Sequence, residues 1–203
     1  MKTRAGQKIR LTSVEELLGV SNEESAMDLE IAKIRPFKDH PFKVLDDEKM
    51  ADTAQSIREH GVLVPAIVRP REEGGYEIVS GHRRHHASQI AGLDKMPAII
   101  RDLDDDAATI IMVDSNLQRE SILPSERAWA YRMKYEALKR QGVRSDLTSS
   151  QVGTKLQRAD EIIAEQAGSS RNQIQRFIRL TELIQPLMDM VDERKIAFNP
   201  AVE

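Results

Sequence analysis

Two periodicities divide this chain, and the change falls near Leu103: before it short apolar runs alternate with helical patterns, after it almost every segment has helical spacing. A fold built on it therefore needs a sheet with helices in front and an all-helical rear half, an α+β architecture. Residues 28–35 alternate apolar and polar side chains and read as one half-buried strand ended by Pro36. Residues 46–60 place Met50, Ala54 and Ile57 at helical spacing between an acidic first turn and Gly61. Strands at 62–69 and 76–79 flank the turn Glu72-Glu73-Gly74-Gly75, a short helix at 82–91 closes at Gly92, and a strand follows at 96–101. In the rear half, helices are predicted at 107–117, from Pro124 to about residue 141 with a stop at Gly142, and at 159–167, 171–184 and 186–194; residues 142–157 read as a loop. Residues 1–27 carry four early cations (Lys2, Arg4, Lys8, Arg10) and read as a mobile arm, 28–120 as the sheet-bearing domain and 121–203 as the helical one.

Composition removes several function classes. With no cysteine among 203 residues there is no disulfide, thiolate metal site or cysteine nucleophile. No apolar run approaches the roughly 20 residues of a membrane span, and the opening lacks a secretion signal, which together place the chain in the cytoplasm without membrane contact. The net charge of −3 decides little, because nucleic-acid affinity follows where cations sit rather than their sum. Trp129, Tyr131 and Tyr135 have the helical spacing of packing residues, and the eight methionines are scattered.

Two segments carry chemistry. In Val79-Ser80-Gly81-His82-Arg83-Arg84-His85-His86 a glycine joins a strand to a helix whose first turn bears two arginines, so backbone N–H groups and guanidinium charge together suit a di- or triphosphate. The histidines lack a carboxylate or cysteine at zinc spacing. Further on, Asn116 offers a carbonyl able to ligate Mg²⁺ and Arg119 a charge for a phosphate.

The second segment is 160–179. Ala164 and Gly168 suit the contact and bend of a helix-turn-helix, with Ile163, Ala167, Ile174, Phe177 and Ile178 filling the wedge. Ser170, Arg171, Asn172, Gln173, Gln175 and Arg176 then lie on the start and outer face of the second helix, where arginine reaches guanine and asparagine or glutamine reaches adenine.

Over residues 28–199 the chain resembles the ParB partition-protein family. Ser56-Ile57 through Gly61 to Pro65 is similar to its SI-x-x-x-G-x-x-x-P segment, residues 81–87 to its G-E-R-R-x-x-A box, and residues 115–120 to its E-N-x-x-R-E box. The resemblance implies a small mixed-sheet front domain of the ParB/sulfiredoxin type, CTP with Mg²⁺ as cofactors, double-stranded DNA as partner and a homodimer that closes as a clamp. It implies phosphate contacts from Gly81, Arg83, Arg84 and Arg119, metal assistance from Asn116, and a cation near the nucleotide from Lys43 in His40-Pro41-Phe42-Lys43; His82, by its place in the turn, reads as a neighbour of the phosphates. It also implies nucleoid or plasmid association and contact between the N-terminal arm and a ParA-type ATPase. His82 and Ser115 replace family glutamates and so remove carboxylates from the metal site, favouring nucleotide binding over all but weak CTP hydrolysis. The rival readings are a ParB-like transcription regulator without nucleotide control and a nucleotide-dependent small-molecule kinase.

Overall fold

The computed structural model describes residues 25–119, 121–148 and 158–203, without the side chains of 143–148. Residues 1–24 of the predicted arm (1–27) and 149–157 of the predicted loop (142–157) fall outside that range, whereas Met27, assigned to the arm, opens the first strand. The fold is α+β. Strands β1 (Met27–Glu30), β2 (Ile34–Arg35), β3 (Ala66–Pro70), β4 (Tyr76–Ser80) and β5 (Lys95–Ile100) form one sheet in the order β1-β5-β3-β4-β2. Pairing is mixed, with β1–β5 and β3–β4 antiparallel and β3–β5 and β2–β4 parallel.

The single strand expected at 28–35 is two strands on opposite edges of the sheet. A 3-10 turn, Ile31–Lys33, separates them, and the Ile31 N–H donates to the Asp94 carbonyl at 2.9 Å. Along the sheet β1 and β2 are four strand spacings apart, about 19 Å at 4.8 Å each, whereas a three-residue 3-10 turn advances only about 6 Å. The sheet therefore curls until its edges approach, enclosing Leu29, Ile31, Ile34, Ala66, Val68, Ile78, Met96 and Ala98. Close approach makes a demand on the β3–β4 turn: a Cβ at Gly75 would lie 2.7 Å from the Lys33 carbonyl oxygen.

Helix α1 (Glu48–His60) is capped by Asp47, whose side chain accepts from the Met50 N–H, and packs Met50, Ala54 and Ile57 on Ala87 of α2 (His82–Ala91). The strand predicted at 62–69 starts only at Ala66: Leu63 and Val64 are exposed, and Pro65 has no N–H to give a ladder. Helix α3 (Asp105–Leu117), capped by Asp104, and helix α4 (Pro124–Thr148) cover the outer face of the sheet through Met112, Val113 and Ala130 on Phe37, Phe42 and Val79.

Helix α4 does not stop at Gly142. Gly61 and Gly92 end their helices with φ of 71° and 78°, but Gly142 has no positive φ and no neighbour near its Cβ position, so it costs the helix about 1 kcal/mol without breaking it. The helix is the molecule's spine, giving Ala130 to the front core, Tyr131 to a cluster with α5 (Ala159–Gln166) and α6 (Arg171–Leu180), and Ala128 to one with α6, α7 (Gln185–Asp192) and α8 (Phe198–Val202). Trp129, expected to pack, is 42 % exposed with the Arg132 guanidinium 5.9 Å from its ring. The helix predicted at 171–184 ends at Leu180, the one at 186–194 runs Gln185–Asp192, and the short α8 lacked a signal in the sequence.

Candidate nucleotide cradle and nucleic-acid interface

Strand β4 delivers Ser80 to the mouth of the sheet, and Gly81 turns the chain into α2 with φ of 107°. A Cβ there would meet Ala66 Cβ and Arg84 Nη2 at 3.1 Å each, so the turn demands glycine for both conformation and space. Behind it lies a cavity of 150 Å³ lined by Gly81, His82, Arg83, Arg84, Asn116 and Arg119, with Ser80 and Ser115. Residues separated by more than thirty positions thus converge at one helix N-terminus, the arrangement that suits an anion.

The charges around this cavity are weakly neutralised. Among the described residues Arg83 reaches one carboxylate, Asp47, at 3.6 Å. Arg84 donates through Nη1 to the carbonyl oxygens of Val64 and Pro65, at 2.5 and 2.7 Å, which also braces that exposed loop. Burial lowers its pKa. Arg119 lies 5.5 Å from the Phe42 ring centroid, and its pKa falls through burial and then through the neighbouring Arg83, against an opposing pull from Glu126. An anion entering the cavity would relieve these guanidinium groups.

His82 is buried, with its Nε2 accepting weakly from the Phe37 N–H at 3.5 Å and its Nδ1 without a partner. Its ring lies 3.8 Å from that of His40, whose Nδ1 faces the Phe42 carbonyl at 2.8 Å. Burial holds both imidazoles neutral, lowering His82 to about 3 and His40 to about 4. With Nε2 accepting, the proton of neutral His82 belongs on Nδ1, a donor still to be satisfied.

Asn116 is buried and donates to the Met112 carbonyl at 2.8 Å. The cavity lining contains no carboxylate, and no group of three metal-binding side chains occurs among the described residues. A hard Mg²⁺ ion prefers carboxylate oxygen, so these residues fit a phosphate better than a metal. Lys43 stands not in this cavity but in an adjoining cleft of 820 Å³, which shares Arg83 and Arg119 with it. Its N–H donates to Glu126, whose other carboxylate oxygen accepts from Leu123, so one buried glutamate ties the Lys43 loop to the start of α4. Sequence reading missed Glu126, although an acid in the first turn after Pro124 was a visible sign of it.

At the other end, α5 and α6 meet through a tight turn in which Gly168 has φ of 58°. Ile163, Ala164 and Ile174 pack on Tyr131, with Phe177 and Ile178 beside them; Ala167, expected in the wedge, is exposed because it already belongs to the turn. Ser170 caps α6 by accepting from the Gln173 N–H at 3.2 Å. Asn172 and Gln175 are exposed, whereas Arg176 is half-buried with its guanidinium 5.6 Å from the Phe198 ring. Arg171 and Gln175 both donate to Asp160 of α5, at 2.6 and 2.9 Å. Neither Asp160 nor Phe198 had been singled out in the sequence.

A curled mixed sheet with a cationic cavity at its mouth is joined by a shared helical spine to two helices that meet at a tight turn, the second of them polar and exposed on its outer face, which defines a class of two-module α+β proteins. The model of the ParB N-terminal domain matches residues 15–117, and the chain belongs to the ParB family. It is 39% identical over 173 residues to the probable chromosome 1-partitioning protein ParB of Deinococcus radiodurans, covering 85% of this chain and 53% of that protein. To the stage 0 sporulation protein J of Bacillus subtilis it is 36% identical over 172 residues, 85% of this chain and 54% of the relative. The chain thus spans about half the length of these curated relatives. Its fold is similar to that of the C-terminally truncated chromosome-partitioning protein ParB of Caulobacter crescentus complexed to the centromeric parS site, with 27% identity, a TM-score of 0.56 and coverage of 87% of this chain and 82% of that one.

Proposed function

We propose that this protein is a sequence-specific, double-stranded-DNA-binding partition protein of the ParB type whose front domain holds a nucleoside triphosphate, CTP by family resemblance. The observation that carries the reading is the capped start of α6, where Ser170 to Arg176 present arginine, asparagine and glutamine side chains on a corner fastened to α4. The similar Caulobacter protein bound to a centromeric site supports DNA as the partner. The cradle supports the nucleotide: Gly81 gives the close approach, Arg83, Arg84 and Arg119 the charge, and the unpartnered His82 Nδ1 a further donor. Lys43, in the neighbouring cleft, serves the outer part of the ligand. Asn116 contributes a polar contact and would be the residue to assist a Mg²⁺ ion brought in with the nucleotide, whose charge the arginines chiefly neutralise.

Partition work further implies a homodimer, association with the nucleoid or a plasmid, and contact with a ParA-type ATPase through residues 1–27. Among the described residues no helix is long and apolar enough to cross a membrane. The test is calorimetric titration of CTP, ATP and GTP into the protein with and without DNA, in Mg²⁺ and in a chelator. CTP should bind selectively, with affinity changing less than about tenfold when the metal is removed. Absence of nucleotide binding alongside retained specific DNA binding would favour a transcription regulator without nucleotide control.

A further inference from the structure

Asp160 is the second residue of α5, and its side chain is 6% exposed. A carboxylate so placed is costly unless its lone pairs are used. Both bonds it receives from side chains come from the helix that follows the turn: Arg171 Nε at 2.6 Å and Gln175 Nε2 at 2.9 Å, each to the same oxygen, Oδ2. Burial alone would raise the Asp160 pKa, but the Arg171 and Gln175 bonds outweigh it and hold the carboxyl below its ordinary value.

Arg171 is the first residue of α6, at the end of a recognition helix that reaches base edges. An unrestrained arginine spreads over many rotamers, whereas planar bidentate recognition needs the guanidinium held in one orientation. Engagement of Nε leaves the terminal Nη1/Nη2 fork, and with the side chain 46% exposed that fork remains accessible. Glu161 Oε1, 3.9 Å from Nη1, adds a weaker restraint on the same side. Gln175, one turn further on, is held by the same oxygen and forms a single unit with Arg171.

We propose that Asp160 is a specificity-determining positioning residue: it makes no base contact itself but sets the Arg171 fork, with Gln175 beside it, to read one base pair. This rests on the reading of α6 as the recognition helix. The experiment is binding-site selection from randomised duplexes at fixed salt on the wild-type chain, Asp160→Asn, Arg171→Ala and Arg171→Lys, with affinity for random DNA and thermal melting measured in parallel. Asp160→Asn should relax preference about tenfold at the same base pair as Arg171→Ala, while affinity for random DNA stays within about twofold. Arg171→Lys keeps the charge but lacks the Nε–H and the fork, and it should copy Asp160→Asn. It alters an exposed side chain, so the question stays decidable if Asp160→Asn fails to fold. An unchanged motif in Arg171→Lys overturns the proposal, as does a motif unchanged in a folded Asp160→Asn or uniform weakening on all sequences. If wild type itself selects no motif, the DNA reading of α6 falls, a separate failure.

Discussion

At Gly81 a backbone demand falls within the proposed nucleotide cradle. With φ of 107° and Ala66 Cβ and Arg84 Nη2 at 3.1 Å from a Cβ position, Gly81→Ala should cost about 1–2 kcal/mol of stability and weaken CTP at least about tenfold. Urea denaturation and calorimetry check both; unchanged nucleotide affinity would remove Gly81 from the cradle. Beside it, the stacked His40 and His82 are neutral rings whose folded pKa values, about 4 and about 3, lie below the ordinary 6.5. Between those limits the unfolded chain binds protons that the folded one refuses. Stability should therefore fall as pH drops from about 6.5 toward 3, by up to roughly 1.4 kcal/mol per pH unit for each ring. Denaturation midpoints from pH 7 to pH 4 test this, and His82→Gln should flatten the dependence.

Helix α6 shows how one element divides its labour. Its cap, Ser170, is spent on the Gln173 N–H, its inner face on Ile174 and Leu180, and its outer face is left to polar side chains. Replacing Asn172 or Arg176 by alanine should cost about 1–3 kcal/mol at the selected DNA site and relax preference at one base pair, because bidentate contacts carry discrimination of that size. For Arg176 the loss should include packing, since its guanidinium lies 5.6 Å from the Phe198 ring. Competition of selected against random duplex separates the two: lost discrimination is base reading, and a lowered melting temperature is packing. Equal weakening on both duplexes would reassign the residue to a phosphate.

Across the whole molecule the two modules are joined by buried polar contacts as well as apolar ones. Lys134 of α4 is fully buried and donates to Asp114 of α3 and, at 2.5 Å, to Gln166 of α5, so one ammonium links the front domain, the spine and the helix-turn-helix. At the far end Asp192 of α7 accepts from the N–H and hydroxyl of Ser125, at 2.9 and 2.5 Å, fastening the rear helices to the start of α4. Lys134→Ala should cost about 2–4 kcal/mol, since it removes the stem and leaves Asp114 and Gln166 without their shared donor. Lys134→Met keeps the stem and should cost less than half as much by urea denaturation; equal losses would mean that the charge, not the packing, dominates.

Local signals in the sequence sufficed wherever a structure answers to its neighbours. Helix α2 runs over the predicted residues 82–91 because Gly81 and Gly92 bracket it. Strand–glycine–helix spacing singled out Gly81, Arg83 and Arg84, the 115–120 segment singled out Asn116 and Arg119, and the fold gathers all five around one cavity. The change of period at Leu103 likewise determined an α+β chain with a helical rear. What depends on distant partners was not legible. Splitting 28–35 across both edges of the sheet follows from closure of the curl, although the spacing of Ile31 and Ile34 already departs from strict alternation. Helix α4 passes Gly142, and Trp129 stays exposed on it, because what flanks a helix is decided by tertiary packing. Buried Lys134, Glu126 and Asp160 read in one dimension as surface charges. They become joints only when other helices take away their water, and a charge that loses water must find a partner wherever the fold has placed one.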